Sequence, residues 1–302
     1  MTQLPPDFDI PQAVLDLYDD YAHGGMDRRA FMARLAAFAT ATVSVAALAG
    51  CVLPDYSDAT ADVPADSPAI DVQPFTYRSE GIGVEPPRDI AGDLVLPALA
   101  SEPVGGVVVV HENRGLNPYI RDVARRVASA GYVALAPDAL SPLGGYPGND
   151  DAGRALQRQR DRAEMLSDFL RAAEVLRDHP AINGRVAVVG FCFGGGIANL
   201  AAARLPWLAG AVPYYGGWPT ADDAARVVCP LQIHLAELDQ RVNAGWPAYE
   251  AALYANDVDC EAFIYPGANH GFHNTTTPRF DPDAAALAWS RTLSFFDRVL
   301  PT

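Results

Sequence analysis

From residue 70 onward, short apolar, β-branched runs alternate with longer stretches of helical periodicity. Gly106–His111 is a continuous apolar run, as expected of a strand buried on both faces. Tyr132–Ala136, the run opened by Arg185, Ala209–Tyr215, Leu231–Leu235 and Ala262–Tyr265 repeat that pattern. Val72–Tyr77 and Asp93–Leu96 read as two opening strands, paired antiparallel. Helical patterns fill Pro118–Ala130, Ala152–Asp178 (one helix or two), Ala244–Ala255 and Pro282–Leu300, while 139–150 is a Gly/Pro-rich loop. Strand–helix alternation predicts an α/β fold with a mostly parallel sheet flanked by helices. Sites in such a sheet lie at the carboxyl ends of the strands.

Before residue 70 the pattern changes. Residues 1–26 are acidic, and Pro11–Ala22 carries an apolar stripe of Val14, Leu15, Leu17, Tyr18 and Tyr21. Arg28 and Arg29 then precede an uncharged, Ala-rich stretch over 35–50 that ends Leu48-Ala49-Gly50-Cys51. Paired arginines before an apolar segment look like a twin-arginine export signal, and Leu-Ala-Gly-Cys resembles the lipobox of a bacterial lipoprotein. The stretch is shorter than the ~20 residues of a spanning helix. The chain thus divides into an N-terminal helix and export segment (1–51), a Pro/Asp-rich linker (52–69) and a folded domain (70–302). This reading predicts a periplasmic or cell-envelope protein attached to the membrane through a lipidated Cys51. The competing reading is a cytoplasmic chain whose N-terminal helix docks on the domain, and Met26 is a candidate start.

Composition narrows the function. The 302 residues are half hydrophobic, enough for one full core plus an appendage. A formal charge of −15 argues against nucleic acid as a partner. Four cysteines are too few for a disulfide framework and match no zinc spacing, so neither metal nor organic cofactor is expected. A monomer is the expected state.

The chemistry centres on Arg185–Gly196. An apolar strand ends at Gly190, Cys192 follows in Gly-x-Cys-x-Gly, and Ile197–Arg204 has helical composition. Strand, tight turn and helix, with a nucleophile at the turn, is the nucleophile elbow of an α/β-hydrolase with sulfur in place of oxygen. Such a turn strains the nucleophile's backbone, so Gly190 and Gly194 must lack a Cβ. A dinucleotide-binding loop fits less well, because Gly-x-Gly-x-x-Gly fails at Asn199. A thiol nucleophile needs a base, and the base needs a carboxylate, in the chain order nucleophile, acid, histidine. His23 lies outside the domain, His111 precedes the nucleophile, His179 stands before Pro180, and His234 is inside a strand. Of the remaining pair, His270 in its Gly-flanked turn is better placed than His273, and Asp239 lies further into its loop than Glu237.

Gly190-Phe-Cys-Phe-Gly194, the Asp239 loop and Ala268-Asn-His-Gly-Phe272 together resemble the dienelactone hydrolase family across residues 70–300. The resemblance implies an α/β-hydrolase fold and a Cys192–His270–Asp239 triad. It also implies that Glu112 pairs with the resting thiol, and that the Asn113 and Phe193 N–H groups form the oxyanion hole. Tyr214-Tyr215-Gly216 fits the family too. One family feature is missing: the two arginines that clamp the dienelactone carboxylate correspond to Pro142 and Asn274, leaving Arg114 or Arg279 as substitutes. Phe191, Phe193, Tyr119 and Trp218 are then candidates for an apolar acyl pocket, and an uncharged ester or lactone is the expected substrate. The expected reaction is ester or lactone hydrolysis through a thioester. The alternatives are an exported, non-catalytic small-ligand binder and a thiol amidase or peptidase. Cys229 and Cys260 open successive strands, as a disulfide if their vectors agree and as free thiols otherwise.

Overall fold

A computed structural model describes residues 10–40, 43–54, 56, 62–81 and 86–301. Three helices come first: α1 (Gln12–Ala22), α2 (Arg28–Leu35) and α3 (Val45–Val52). An antiparallel pair, β1 (Ile70–Ser79) and β2 (Arg88–Pro97), opens the sheet, as the sequence predicts. Then follow β3 (Val104–Val110), α4 (Pro118–Ser129), β4 (Val133–Pro137), α5 (Asp150–Gln157) and α6 (Arg162–Arg177). The second half runs β5 (Ile182–Phe191), α7 (Phe193–Arg204), β6 (Gly210–Tyr214), α8 (Ala221–Ala224), β7 (Leu231–Ala236), α9 (Gln240–Asn243), α10 (Trp246–Ala255), β8 (Cys260–Tyr265) and α11 (Pro282–Val299). The eight strands lie in the order β1-β2-β4-β3-β5-β6-β7-β8, antiparallel at β1-β2-β4 and parallel from β4 to β8.

Strand periodicity decides the two cores. Val108 and Val110 face one side of the sheet with Met165 and Phe169 of α6, while Val107 and Val109 face the other with Val123 of α4 and Phe295 of α11. Because both faces are covered, the central strands are apolar throughout, which is the run visible in the sequence.

The N-terminal helices form a third, smaller core. Val14, Leu17 and Tyr18 of α1 pack with Phe31 and Leu35 of α2 and with Leu48 and Val52 of α3. Tyr21 stacks on Phe31 at 4.6 Å between ring centroids. Asp27 and Ser44 cap α2 and α3 by accepting hydrogen bonds from the Ala30 and Ala47 N–H groups. The apolar stretch before Cys51 is therefore the packed face of a short helix here, and Cys51 lies in its last turn. No helix among the described residues is long and apolar enough to cross a membrane. Arg28 pairs with Asp151 at the start of α5.

The Pro/Asp-rich stretch is anchored through several of its described residues, Asp62 pairing with Arg126 at 3.0 Å. Tyr56 donates to Asp150 Oδ1 (3.0 Å) and accepts from Asn117 (2.7 Å), while the Val63 N–H donates to Asp122 (3.0 Å). All four cysteines are free thiols. Cys260 stands opposite Leu231 in the β7–β8 register, so Cys229 falls two residues short of alignment with it. Burial pushes both thiols up to about 12.

Candidate active site

At the end of β5 the backbone turns sharply into α7, with Cys192 at φ 55° and ψ −111°. Side chains rarely tolerate that conformation, which costs roughly 1–3 kcal/mol. Glycine makes the turn sterically possible. A Cβ on Gly190 would sit 1.9 Å from the Gly194 carbonyl oxygen, and one on Gly194 would sit 2.3 Å from the Val110 oxygen. The Cys192 N–H donates to the Tyr214 carbonyl at 3.0 Å, tying the turn to β6.

Two further strand ends supply the partners. After β7, Asp239 caps α9 by accepting from the Val242 N–H (3.1 Å). Its other oxygen accepts from His270 Nδ1 at 2.5 Å, and His270 stands in the turn after β8. The donor atoms of His270, Cys192 and His23 all lie within 4.8 Å of one another. Burial disfavours the imidazolium, but the Cys192 thiolate, Asp239 and Asp19 outweigh it and hold His270 up to about 10. Burial likewise opposes the thiolate, yet His270 and His23 bring Cys192 well below the ordinary thiol range. A thiolate–imidazolium pair is the stable form. Among the described residues, these three side chains are the group placed to hold a metal ion, though their opposite charges already satisfy one another.

The sequence places His23 outside the domain, whereas in the structure it touches the thiol. His23 caps α1, and its Nε2 lies 3.3 Å from Cys192 Sγ. Its Nδ1 donates to the Asp19 carbonyl oxygen (2.9 Å) and stands 3.3 Å from Asp19 Oδ2. Asp19 Oδ1 in turn accepts from buried Arg279 at 2.7 Å. Asn113 donates from Nδ2 to the Ala22 carbonyl oxygen at 2.7 Å, so α1 is fastened beside Cys192.

Glu112 has other partners than the thiol. Its Oε2 accepts from Asn274 Nδ2 (2.9 Å) and lies 3.4 Å from Arg114 Nη2. Burial raises its pKa, with Arg114 opposing. Neither proposed clamp substitute is free for substrate, since Arg114 pairs with Asp150 (2.7 Å) and Arg279 with Asp19. Pro142 sits in a surface 3-10 turn over Ser141–Leu143.

A cavity of about 540 Å³ opens at Cys192, walled on one side by Ala22, His23, Asn113 and Phe193. Arg154, Arg158, Arg160, Arg162 and Arg241 form much of the rest. Arg154 is 3 % exposed, bonds Asp151, lies over the Tyr21 ring and leaves Nη1 without a hydrogen-bond partner. The wall is cationic, where an apolar pocket is expected from sequence. Phe191 and Tyr119 are core residues, the latter bonded to His273 at 2.7 Å, and Trp218 lines a separate recess beyond Phe193. His270 and Asp239 line a different recess of about 270 Å³, together with Asp19, Arg241 and Arg279.

The other histidines are structural. His111 accepts from the Ala139 N–H (3.2 Å), and burial lowers its pKa. His234 stacks on Tyr214, and burial lowers it to about 3. Burial also lowers His273.

The model of the dienelactone hydrolase family matches residues 90–300, most of the chain. The chain belongs to the dienelactone hydrolase family. It is an ester or lactone hydrolase. A putative carboxymethylenebutenolidase of Synechocystis is 34% identical over 70% of this chain and 92% of its own. The putative hydrolase fragment YghX of Escherichia coli is 56% identical, over 38% of this chain and 94% of that fragment. Among solved structures, a dienelactone hydrolase-like promiscuous phosphotriesterase from metagenomic libraries superposes with a TM-score of 0.66 at 26% identity, over 77% of this chain and 99% of that one. A second model, described as YqhI-like, matches residues 3–40. The family match begins at Ile90, so α1 and its His23 fall within the second match and outside the first.

Proposed function

We propose that this enzyme hydrolyses a small carboxylic ester or lactone through Cys192, His270 and Asp239, by way of a thioester on Cys192. The observation that carries the reading is the charge chain at three strand ends: thiolate, imidazolium raised to about 10, and carboxylate at 2.5 Å. The thiolate attacks the carbonyl carbon, and the oxyanion takes the N–H groups of Phe193 and Asn113. Expulsion of the alcohol leaves an acyl-cysteine, which water hydrolyses. A non-catalytic binder would need neither the strained Cys192 backbone nor a thiol held as thiolate.

The arginine wall favours a substrate with an anionic group remote from the reacting carbonyl, held by Arg158 and Arg162. For the N-terminal segment the docked reading is preferred to export and lipidation at Cys51. Its support is the set of bonds from Asp19 to Arg279, Ala22 to Asn113 and Arg28 to Asp151. Mass spectrometry of the native protein tests this: a chain beginning at an acylated Cys51 would restore the lipoprotein reading.

Assays of short p-nitrophenyl esters against peptide substrates separate esterase from amidase or peptidase. Ester turnover with iodoacetamide labelling of Cys192 is expected, and peptide cleavage alone would overturn the reading. Comparing kcat/KM for a dienelactone and its methyl ester tests the wall, with the free acid expected to be preferred.

A further inference from the structure

The sulfur of Cys192 stands between two Asp–His pairs, one built from strand ends and one carried on α1. Only one of the two histidines lines the cavity. His23 shares its wall with Cys192, Phe193 and Asn113, while His270 lines the recess on the other side with Asp239. A leaving group released into the cavity therefore meets His23.

We propose that His23, oriented by Asp19, is a catalytic residue of this hydrolase: it protonates the leaving alcohol and takes a proton from the hydrolytic water. This rests on the assignment of Cys192 as nucleophile. His270 then keeps the proton it took from the thiol and remains an imidazolium beside the sulfur. In acylation, the S–C bond forms, the ester C–O bond breaks, and the departing oxygen takes the proton from His23 Nε2. In deacylation, water adds to the thioester and returns a proton to Nε2. The C–S bond then breaks, restoring the thiolate and releasing the acid. The histidine ends each cycle as it began.

Three observations fit this division of labour. Nδ1 of His23 donates to the Asp19 carbonyl, which turns Nε2 toward the cavity side, 3.3 Å from the Cys192 sulfur. Burial opposes a charge on this ring, but Cys192 and Asp19 outweigh it and raise the pKa, with His270 working against them. Arg241 Nη2 lies 3.1 Å from Nε2 and 3.2 Å from His270 Nδ1, within hydrogen-bond reach of both rings. His270 is placed differently: its Nδ1 is 2.5 Å from Asp239, and it lines the recess apart from the cavity.

The test is leaving-group dependence in the full chain. A p-nitrophenolate leaves without a proton, whereas an ethoxide does not. His23→Gln is expected to lower kcat/KM, which reports acylation, by ~100-fold or more for an ethyl ester, the usual range for general acid catalysis, and far less for the matching p-nitrophenyl ester, while deacylation slows alike for both. A retained kcat/KM for the p-nitrophenyl ester also reports that the variant is folded. In His23→Gly, added imidazole is expected to restore ethyl-ester turnover in a saturable way. Equal effects on kcat/KM for both esters, or no effect on either, would overturn the proposal, as would a glycine variant that imidazole does not rescue. Cys192→Ala separates the two claims. If it retains ester turnover, the nucleophile assignment fails. If it is inactive while His23→Gln is normal, only the role of His23 fails.

Discussion

The two Asp–His pairs around Cys192 use the same side chains and are built in different ways. Asp239 and His270 extend from β7 and β8, neighbouring strands whose register puts Ala236 opposite Tyr265. Each carboxylate and ring is held by the sheet, and His270 is 5 % exposed. Asp19 and His23 stand one turn apart at the end of an 11-residue helix, and their side chains are 21 % and 18 % exposed. That helix owes its place to bonds with Arg279, Asn113 and Asp151. A pair on a rigid sheet suits holding a charge, whereas a pair on a docked helix can touch substrate and solvent.

Removing the atom that both pairs share gives the largest effect: Cys192→Ala is expected to cut ester turnover by ~10³ or more, read as kcat/KM. Breaking the pairs separately sharpens the contrast. Asp239→Asn removes the carboxylate that orients His270 and stabilises its imidazolium, and should cost ~10³ to 10⁴ in kcat. Asp19→Asn leaves the Asp19 carbonyl bond to His23 in place and should cost about tenfold, within the range of one charge-assisted hydrogen bond. Equal losses in the two variants would erase the distinction between a structural and a docked pair.

The pH dependence probes the rear pair. Because His270 is raised to about 10, the thiolate–imidazolium pair persists through neutral pH and is lost as pH rises through that value. For a p-nitrophenyl ester, whose leaving group needs no proton from His23, the profile of kcat/KM should stay level through neutrality and fall near pH 10. The stability contributed by that imidazolium is fully present below about 6.5, its ordinary pKa, and should likewise disappear as pH rises through about 10. A fall centred near neutrality would break the assignment. The smallest change is expected at the edge of the docked segment. Arg28 pairs with Asp151 at a site 56 % exposed on the Arg28 side, so Arg28→Ala should lower thermal stability by less than about 1 kcal/mol and leave kcat nearly unchanged.

Much of this protein was legible in its sequence because the signals were local. The elbow shows itself through Gly190, Cys192 and Gly194, since only glycine fits where carbonyl oxygens come within about 2 Å of a would-be Cβ. Asp239 and His270 show themselves through their positions after apolar runs, because a parallel sheet gathers its strand ends along one edge. The apolar stripe Val14, Leu17, Tyr18 and Tyr21 likewise predicted α1, and the structure buries it.

What only the tertiary structure decided is where that helix docks and which partners the buried charges choose. No spacing in the chain relates His23 to Cys192, 169 residues away, and the Asp19–His23 interval is an ordinary helical turn until Arg279 and Asn113 receive it. The family resemblance implies the thiol as partner of Glu112, whereas in the structure Asn274 and Arg114 lie against its carboxylate. The arginine wall is equally hidden: Arg154 to Arg162 read as a helix–loop–helix until α5 and α6 pack beside the thiol and turn them toward the cavity. Backbone geometry and periodicity are properties of neighbours along the chain and can be read there. The partner of a buried charge is chosen by three-dimensional proximity and desolvation, which become defined only when the core has closed.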